Sequence, residues 1–155
     1  MLWAHENSRD ALFEAMRKRE AYGTSGPRIT SRFFAGWDFP ADMCGAPDRI
    51  ERAYAGGVSM GSILPGVQYA QRKPTLLVAA SQDAGTPSNP GTPLQRLQVI
   101  KGWIDTKGER HERVIDVAGD ADNGASVDLK SCETSGSGFT DLCAVWVDTD
   151  FDPNE

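Results

Sequence analysis

The sequence predicts a mainly β protein, an antiparallel β-sandwich preceded by one N-terminal α-helix. The 155 residues include 16 glycines and 9 prolines, which indicate many turns because both residues interrupt helices. Short apolar runs recur at regular spacing beyond residue 75 and are separated by turn-forming clusters, a pattern typical of sandwiches. Helical periodicity is clear in one segment alone, near the N-terminus.

That segment is residues 7–20, for which the spacing predicts an α-helix. Leu12, Phe13 and Met16 recur at i, i+1 and i+4 and form an apolar stripe opposite charged residues. Asn7 or Ser8 can cap its start, and the glycine and proline at positions 26 and 27 stop it.

The strand signals follow. We expect a hairpin of residues 94–103 and 112–117, joined by the turn at 105–108, and a last pair made of residues 126–130 and 142–147. Residues 36–73 show little periodicity and predict a long excursion with one short helix over residues 49–54. The remaining predicted strands are residues 28–34 and 75–80.

The charge and hydropathy of the chain exclude two classes of partner. A net charge of −6 argues against nucleic acid, because phosphate binding needs clustered lysine and arginine. No run of about 18 apolar residues is present, so no membrane span is expected. The N-terminus also lacks the charged-then-apolar pattern of a signal peptide.

The three cysteines are too few and too dispersed for a zinc site of the Cys-x-x-Cys type. Cys132 and Cys143 bracket a Gly/Ser-rich turn, which is compatible with a disulfide across a hairpin, with Cys44 left free. The alternative is that both are buried thiols.

A serine-hydrolase pattern is present at residues 57–61, GVSMG, which matches G-x-S-x-G. Ser59, Asp105 and His111 follow one of the chain orders known for catalytic triads. However, the motif exposes its nucleophile on a strained turn between a buried strand and a helix. The residues before Ser59 do not resemble such a strand, and Pro65 follows within a turn.

No metal site is predicted. His5 and His111 lie far apart in the sequence, and hydrolytic metals need several converging His, Asp or Glu ligands. Asp148, Asp150 and Asp152 alternate as in a calcium loop, but the glycine and the final glutamate of an EF-hand do not follow. We expect a solvated acidic tail there, and no cofactor in this chain.

Five strings in order resemble the C-terminal region of the bacterial domain-of-unknown-function 3604 family, whose longer members look like metallohydrolases of the polymerase-and-histidinol-phosphatase (PHP) superfamily. The family usually has proline where this chain has Ser59. The resemblance covers nearly the whole chain. The strings are ENSRDALFEAMRKREAYGTSGPRI, RFFAGWDF, GVSMG, PLQRLQVIKGWID and LCAVWVDTDFDP.

The resemblance implies a chain shortened at both ends. Residues 1–27 would be the last helix and joint of a PHP-like barrel, and residues 28–155 a β-sandwich module lacking its final strand. The divalent-metal ligands would lie in the missing PHP-like catalytic domain, which is the implied partner, in an exported or periplasmic protein. Thr24, Ser25 and Arg28 would lie at the joint, where Arg28 could bind a phosphate or carboxylate or simply hold a turn.

Three functions therefore stay open at this point. The first is a noncatalytic accessory sandwich of a PHP-like hydrolase, the second a small serine esterase that uses Ser59, and the third a stand-alone binding module. If a final strand is missing, the open edge of the sheet would also favour a homodimer.

Overall fold

The computed structural model describes residues 1–66 and 72–155 and confirms the predicted class, a mainly β chain with antiparallel sheets behind an N-terminal helix. Helix α1 spans Arg9–Lys18, inside the predicted 7–20. Ser8 caps it, because its hydroxyl accepts a hydrogen bond from the Ala11 amide at 3.3 Å. The helix ends at Arg19, whose left-handed backbone has φ 58°.

A four-stranded antiparallel sheet forms the centre, and its strands lie in the order Gly57–Ser59 (β2), Thr30–Gly36 (β1), Thr75–Ser81 (β3) and Asp141–Val147 (β8). Strand β3 is apolar from Leu76 to Ala80 and is paired on both sides, with β1 and with β8. Strand β8 lies at one edge, and in the described part of the chain it pairs with β3 alone.

One face of this sheet is covered by helix α2, Arg49–Gly56, and by a 3-10 turn at Met43–Gly45. Phe34 from β1 and Leu77 from β3 pack here against Met43 and Ala53, and all four are almost fully buried. This cluster is the main core of the molecule.

The other face meets a hairpin of β4, Arg96–Ile104, and β5, Arg110–Gly119. The hairpin matches the prediction, and Leu97, Val99 and Trp103 alternate along one side of β4 as expected. A second apolar cluster joins it to the sheet through Ala80, Leu94 and Leu142. The two facing sheets are therefore of unequal size.

The predicted pairing of residues 126–130 with 142–147 is wrong. Strand β8 pairs with β3 instead, with Val78 opposite Ala144. Residues Ser126–Val127, β6, pair with Thr134–Ser135, β7, in a small exposed hairpin. The physical reason is apolar content, because β8 can bury both of its faces beside β3, whereas three of the four residues of β6 and β7 carry hydroxyl side chains and all four stay in solvent.

The predicted disulfide between Cys132 and Cys143 is also wrong. Cys143 is bonded to Cys44, with Cα atoms 5.8 Å apart and a sequence separation of 99. Cys143 lies on the face of β8 that packs against the 3-10 turn carrying Cys44. Cys132 is the free cysteine; it is exposed, beyond the reach of that packed face.

The helices in the described part of the chain are too short or too polar to cross a membrane.

Candidate functional site

A cleft of about 220 Å³ opens where α1 meets the central sheet. One wall is the side of α1 that carries Ala11, Ala15 and Lys18, where the two alanines leave room. The N-terminal segment supplies a second wall, and Arg32 from β1 and Tyr54 from α2 reach the cleft from the sheet side. The cleft is thus assembled from four separate parts of the chain.

Three polar side chains are joined beside this cleft. The Tyr54 hydroxyl donates a hydrogen bond to Glu20 Oε1, and Arg32 Nη1 donates to the Tyr54 oxygen at 3.2 Å. Arg32 Nη1 and Glu20 Oε1 lie 4.0 Å apart. Glu20 is only 8% exposed, and a carboxylate this buried is stable only when it is paired.

The same contacts fix the protonation state of the tyrosine. Partial burial raises the pKa of Tyr54, and its hydrogen bond to the Glu20 carboxylate raises it further. Tyr54 therefore keeps its proton and acts as a donor, so that it cannot serve as a general base at neutral pH.

Trp3 closes the cleft on the N-terminal side. Its indole Nε1 donates to the Ser31 carbonyl at 3.0 Å, which holds the ring against β1. The Arg32 guanidinium carbon lies 3.2 Å from the centre of that ring, a cation–π contact that orients the arginine.

Sequence reasoning missed this site. Glu20, Arg32 and Tyr54 belong to different elements, and no spacing rule relates them. One weak signal was present, namely that Arg32 directly precedes the two apolar residues Phe33 and Phe34 in a predicted strand and is itself only partly exposed.

Asp105 and His111, two members of the suggested triad, do come together. Asp105 Oδ2 and His111 Nε2 are 3.0 Å apart, and the imidazole stacks on Trp103 with ring centres 5.1 Å apart. The hydrogen bond with His111 lowers the pKa of Asp105, and amide hydrogen bonds from Glu109 and Lys107 lower it further. Through these hydrogen bonds the Asp105 carboxylate holds the β4–β5 turn together.

Ser59 lies elsewhere. It ends β2, opposite Phe34 of β1, at one edge of the central sheet, whereas the hairpin with His111 packs beside β8 at the other edge. Strands β2 and β8 are three strand spacings apart, about 14 Å. The structure therefore does not bring the serine to the imidazole.

Thr24, Ser25 and Arg28 lie on the surface between α1 and β1. The Arg28 backbone amide donates to Asp83 Oδ2 at 2.7 Å, and this bond, with a second from the Gly85 amide, lowers the pKa of Asp83. These bonds tie two loops together through the backbone. Binding of a phosphate or carboxylate by the Arg28 side chain stays a prediction.

The acidic segment is only partly solvated, which corrects the expectation of a solvated acidic tail. Asp148 is buried and pairs with Lys101 Nζ at 2.7 Å, and Asp150 pairs with Arg113 at 2.5 Å. Within residues 1–66 and 72–155, no three His, Cys, Asp or Glu side chains converge in a way that could hold a metal ion.

A family model described as a protein of unknown function, DUF3604, matches residues 1–155. No curated protein and no solved structure matches the chain. The match extends over the whole length of the sequence, so the chain belongs to the DUF3604 family.

Proposed function

We propose that this chain is an accessory β-sandwich of a PHP-like metal-dependent hydrolase and does not catalyse hydrolysis alone. The observation that carries the proposal is the apolar stripe of α1. Phe13 is 63% exposed and Met16 is 55% exposed, although the apolar stripe of a surface helix normally faces a core. Leu12, the third residue of the stripe, is half-buried, so two of the three side chains face solvent, as in a surface that packs against another domain.

The two sides of α1 support this assignment. Ala15 is buried against the sandwich side, next to the cleft, while Phe13 and Met16 point away from it. The helix would therefore be shared, with one side on the sandwich and the other on the PHP-like catalytic domain. The divalent metal of such a domain would be held there, because the described residues of this chain offer no suitable ligand group.

The Cys44–Cys143 disulfide supports an exported or periplasmic parent protein, because disulfides persist in oxidising compartments. The open edge of β8 could in addition seat a second copy of the chain, since an unpaired strand edge is a template for pairing. Thr24, Ser25 and Arg28 would flank the joint with the catalytic domain and are proposed as contacts to its substrate.

An association experiment tests the shared helix. The chain is mixed with the catalytic domain of a longer family member, and binding is measured by sedimentation velocity. We expect a complex that Phe13→Glu weakens at least about tenfold, because a charge is then placed in the apolar contact. Leu129→Glu is the matched control, since Leu129 is 94% exposed and lies far along the chain.

Equal binding by Phe13→Glu and the unaltered chain would contradict the proposal. The same runs report on the chain alone. A dimer that Phe13→Glu leaves intact would indicate pairing through β8, whereas a monomer would remove that part of the proposal.

The serine-esterase alternative has one favourable observation, the bond between Asp105 and His111. We expect Ser59→Ala to leave the hydrolysis of p-nitrophenyl acetate unchanged, because Ser59 lies at the opposite sheet edge from the imidazole. Loss of a true nucleophile costs orders of magnitude in rate. Ser62→Ala, in the same turn, is the control. Robust activity that only Ser59→Ala abolishes, in a protein that still folds, would establish the esterase instead.

A further inference from the structure

We propose that the cleft between α1 and the central sheet binds a small zwitterion, a free α-amino acid. Glu20 and Arg32 lie side by side at this cleft and carry opposite charges. A ligand with an ammonium and a carboxylate on one carbon carries the two charges that are complementary to Glu20 and Arg32. This inference is independent of the hydrolase assignment.

The hydrogen bonds that Glu20 and Arg32 already make support the proposal. Glu20 accepts from Tyr54 through Oε1, and Arg32 donates to Tyr54 through Nη1. Across residues 1–66 and 72–155, Glu20 Oε2 and the Nε and Nη2 atoms of Arg32 take part in no hydrogen bond. None of these three atoms is among the fully buried ones without a partner, so an acceptor and a donor fork remain accessible to a ligand.

The chemistry of these free groups matches an amino acid. A guanidinium binds a carboxylate with two parallel hydrogen bonds, and stacking on Trp3 already fixes the plane of Arg32. The Glu20 carboxylate can then accept the ammonium group. Tyr54 stays protonated and holds Glu20 in place, because burial and Glu20 itself favour its neutral form.

Charge balance selects the zwitterion over a simple anion. Arg32 and Lys18 contribute two positive charges to the cleft, and Glu20 and Glu14 contribute two negative charges. An anion alone would face both carboxylates, and a cation alone would face both cationic groups. The volume of about 220 Å³ lies below the roughly 300–1,000 Å³ of pockets for drug-sized ligands, so that only a small molecule fits.

The test uses NMR of the ¹⁵N-labelled chain, with the Trp3 indole signal as the probe and L-alanine as the ligand. We expect a saturable shift of this signal, assigned through Trp3→Phe, while the Trp103 signal stays still. Propionate lacks the ammonium and ethylammonium lacks the carboxylate, so each should bind at least about tenfold more weakly than alanine.

Two variants complete the test. Ala11→Leu fills the cleft without removing a charge and should abolish the shift, whereas Ala55→Leu, on the exposed side of α2, should leave it unchanged. Should Ala11→Leu not fold, Glu20→Gln keeps an acceptor for Tyr54 but removes the charge that holds the ammonium, and it should bind at least about tenfold more weakly. The proposal is overturned if alanine gives no saturable shift up to its solubility limit. Propionate binding as tightly as alanine, or unchanged binding by the cleft variants, would overturn it as well.

Discussion

Replacing Cys44 and Cys143 together by alanine is expected to lower the free energy of unfolding by about 4 kcal/mol, near the upper end for a single disulfide. The bond closes a loop of 99 residues, and a longer closed loop restricts the unfolded chain more. Both cysteines also pack against the main core, so that their loss removes apolar contacts in addition.

The measurement is urea unfolding of the double variant and of the unaltered chain with its disulfide oxidised. Cys132→Ala is the matched control, because Cys132 is free and exposed, and we expect it to change the unfolding free energy by less than about 0.5 kcal/mol. A double variant within about 1 kcal/mol of the unaltered chain would contradict the assigned role of the disulfide.

Phe34→Ala should destabilise the chain by about 3–5 kcal/mol, since a buried aromatic side chain is replaced by a cavity. Phe34 is 1% exposed and touches the ring of Tyr54 edge to face, with centres 4.9 Å apart. Its loss therefore also removes support from the helix that carries the tyrosine of the cleft.

The same chemical change at Phe13 provides the comparison. Phe13 is 63% exposed, and Phe13→Ala should change the unfolding free energy by no more than about 0.5 kcal/mol. Thermal and urea unfolding of both variants give the difference directly. A large loss of stability from Phe13→Ala would mean that this side chain already has a partner within the chain, which would count against a shared helix.

The parts of the fold that the sequence predicts correctly depend on local sequence patterns. The β4–β5 hairpin alternates apolar and polar residues on both sides of a tight turn, and α1 has a capping serine and helical periodicity. Each signal depends on residues close in sequence, where propensity and spacing act directly.

The errors share a different physical origin. The sequence favours Cys132 as the partner of Cys143 because the two bracket a turn, yet the side of the strand on which Cys143 lies directs it to Cys44. The pairing of β8 was likewise assigned to a neighbour in sequence rather than to β3. When the partner of a cysteine or a strand is decided by the packing of elements far apart in sequence, the local residue pattern of neither segment indicates it.

The cleft could not have been predicted for the same reason. Glu20 follows a helix, Arg32 lies in a strand and Tyr54 lies in a second helix. Each residue alone reads as an ordinary surface group, and only the folded chain reveals that Glu20 is buried against the other two.

The late position of β8 has a consequence for the order in which the chain folds. Strand β3 is complete at Ser81, but its second partner begins at Asp141, so four other strands are synthesised before the sheet can close. The hairpin of β4 and β5 can form at once from neighbouring residues, whereas closing β3 against β8 incurs a large loop entropy and is slow. During that interval an apolar strand edge stays open, and a nascent chain in this state is a natural client for a chaperone.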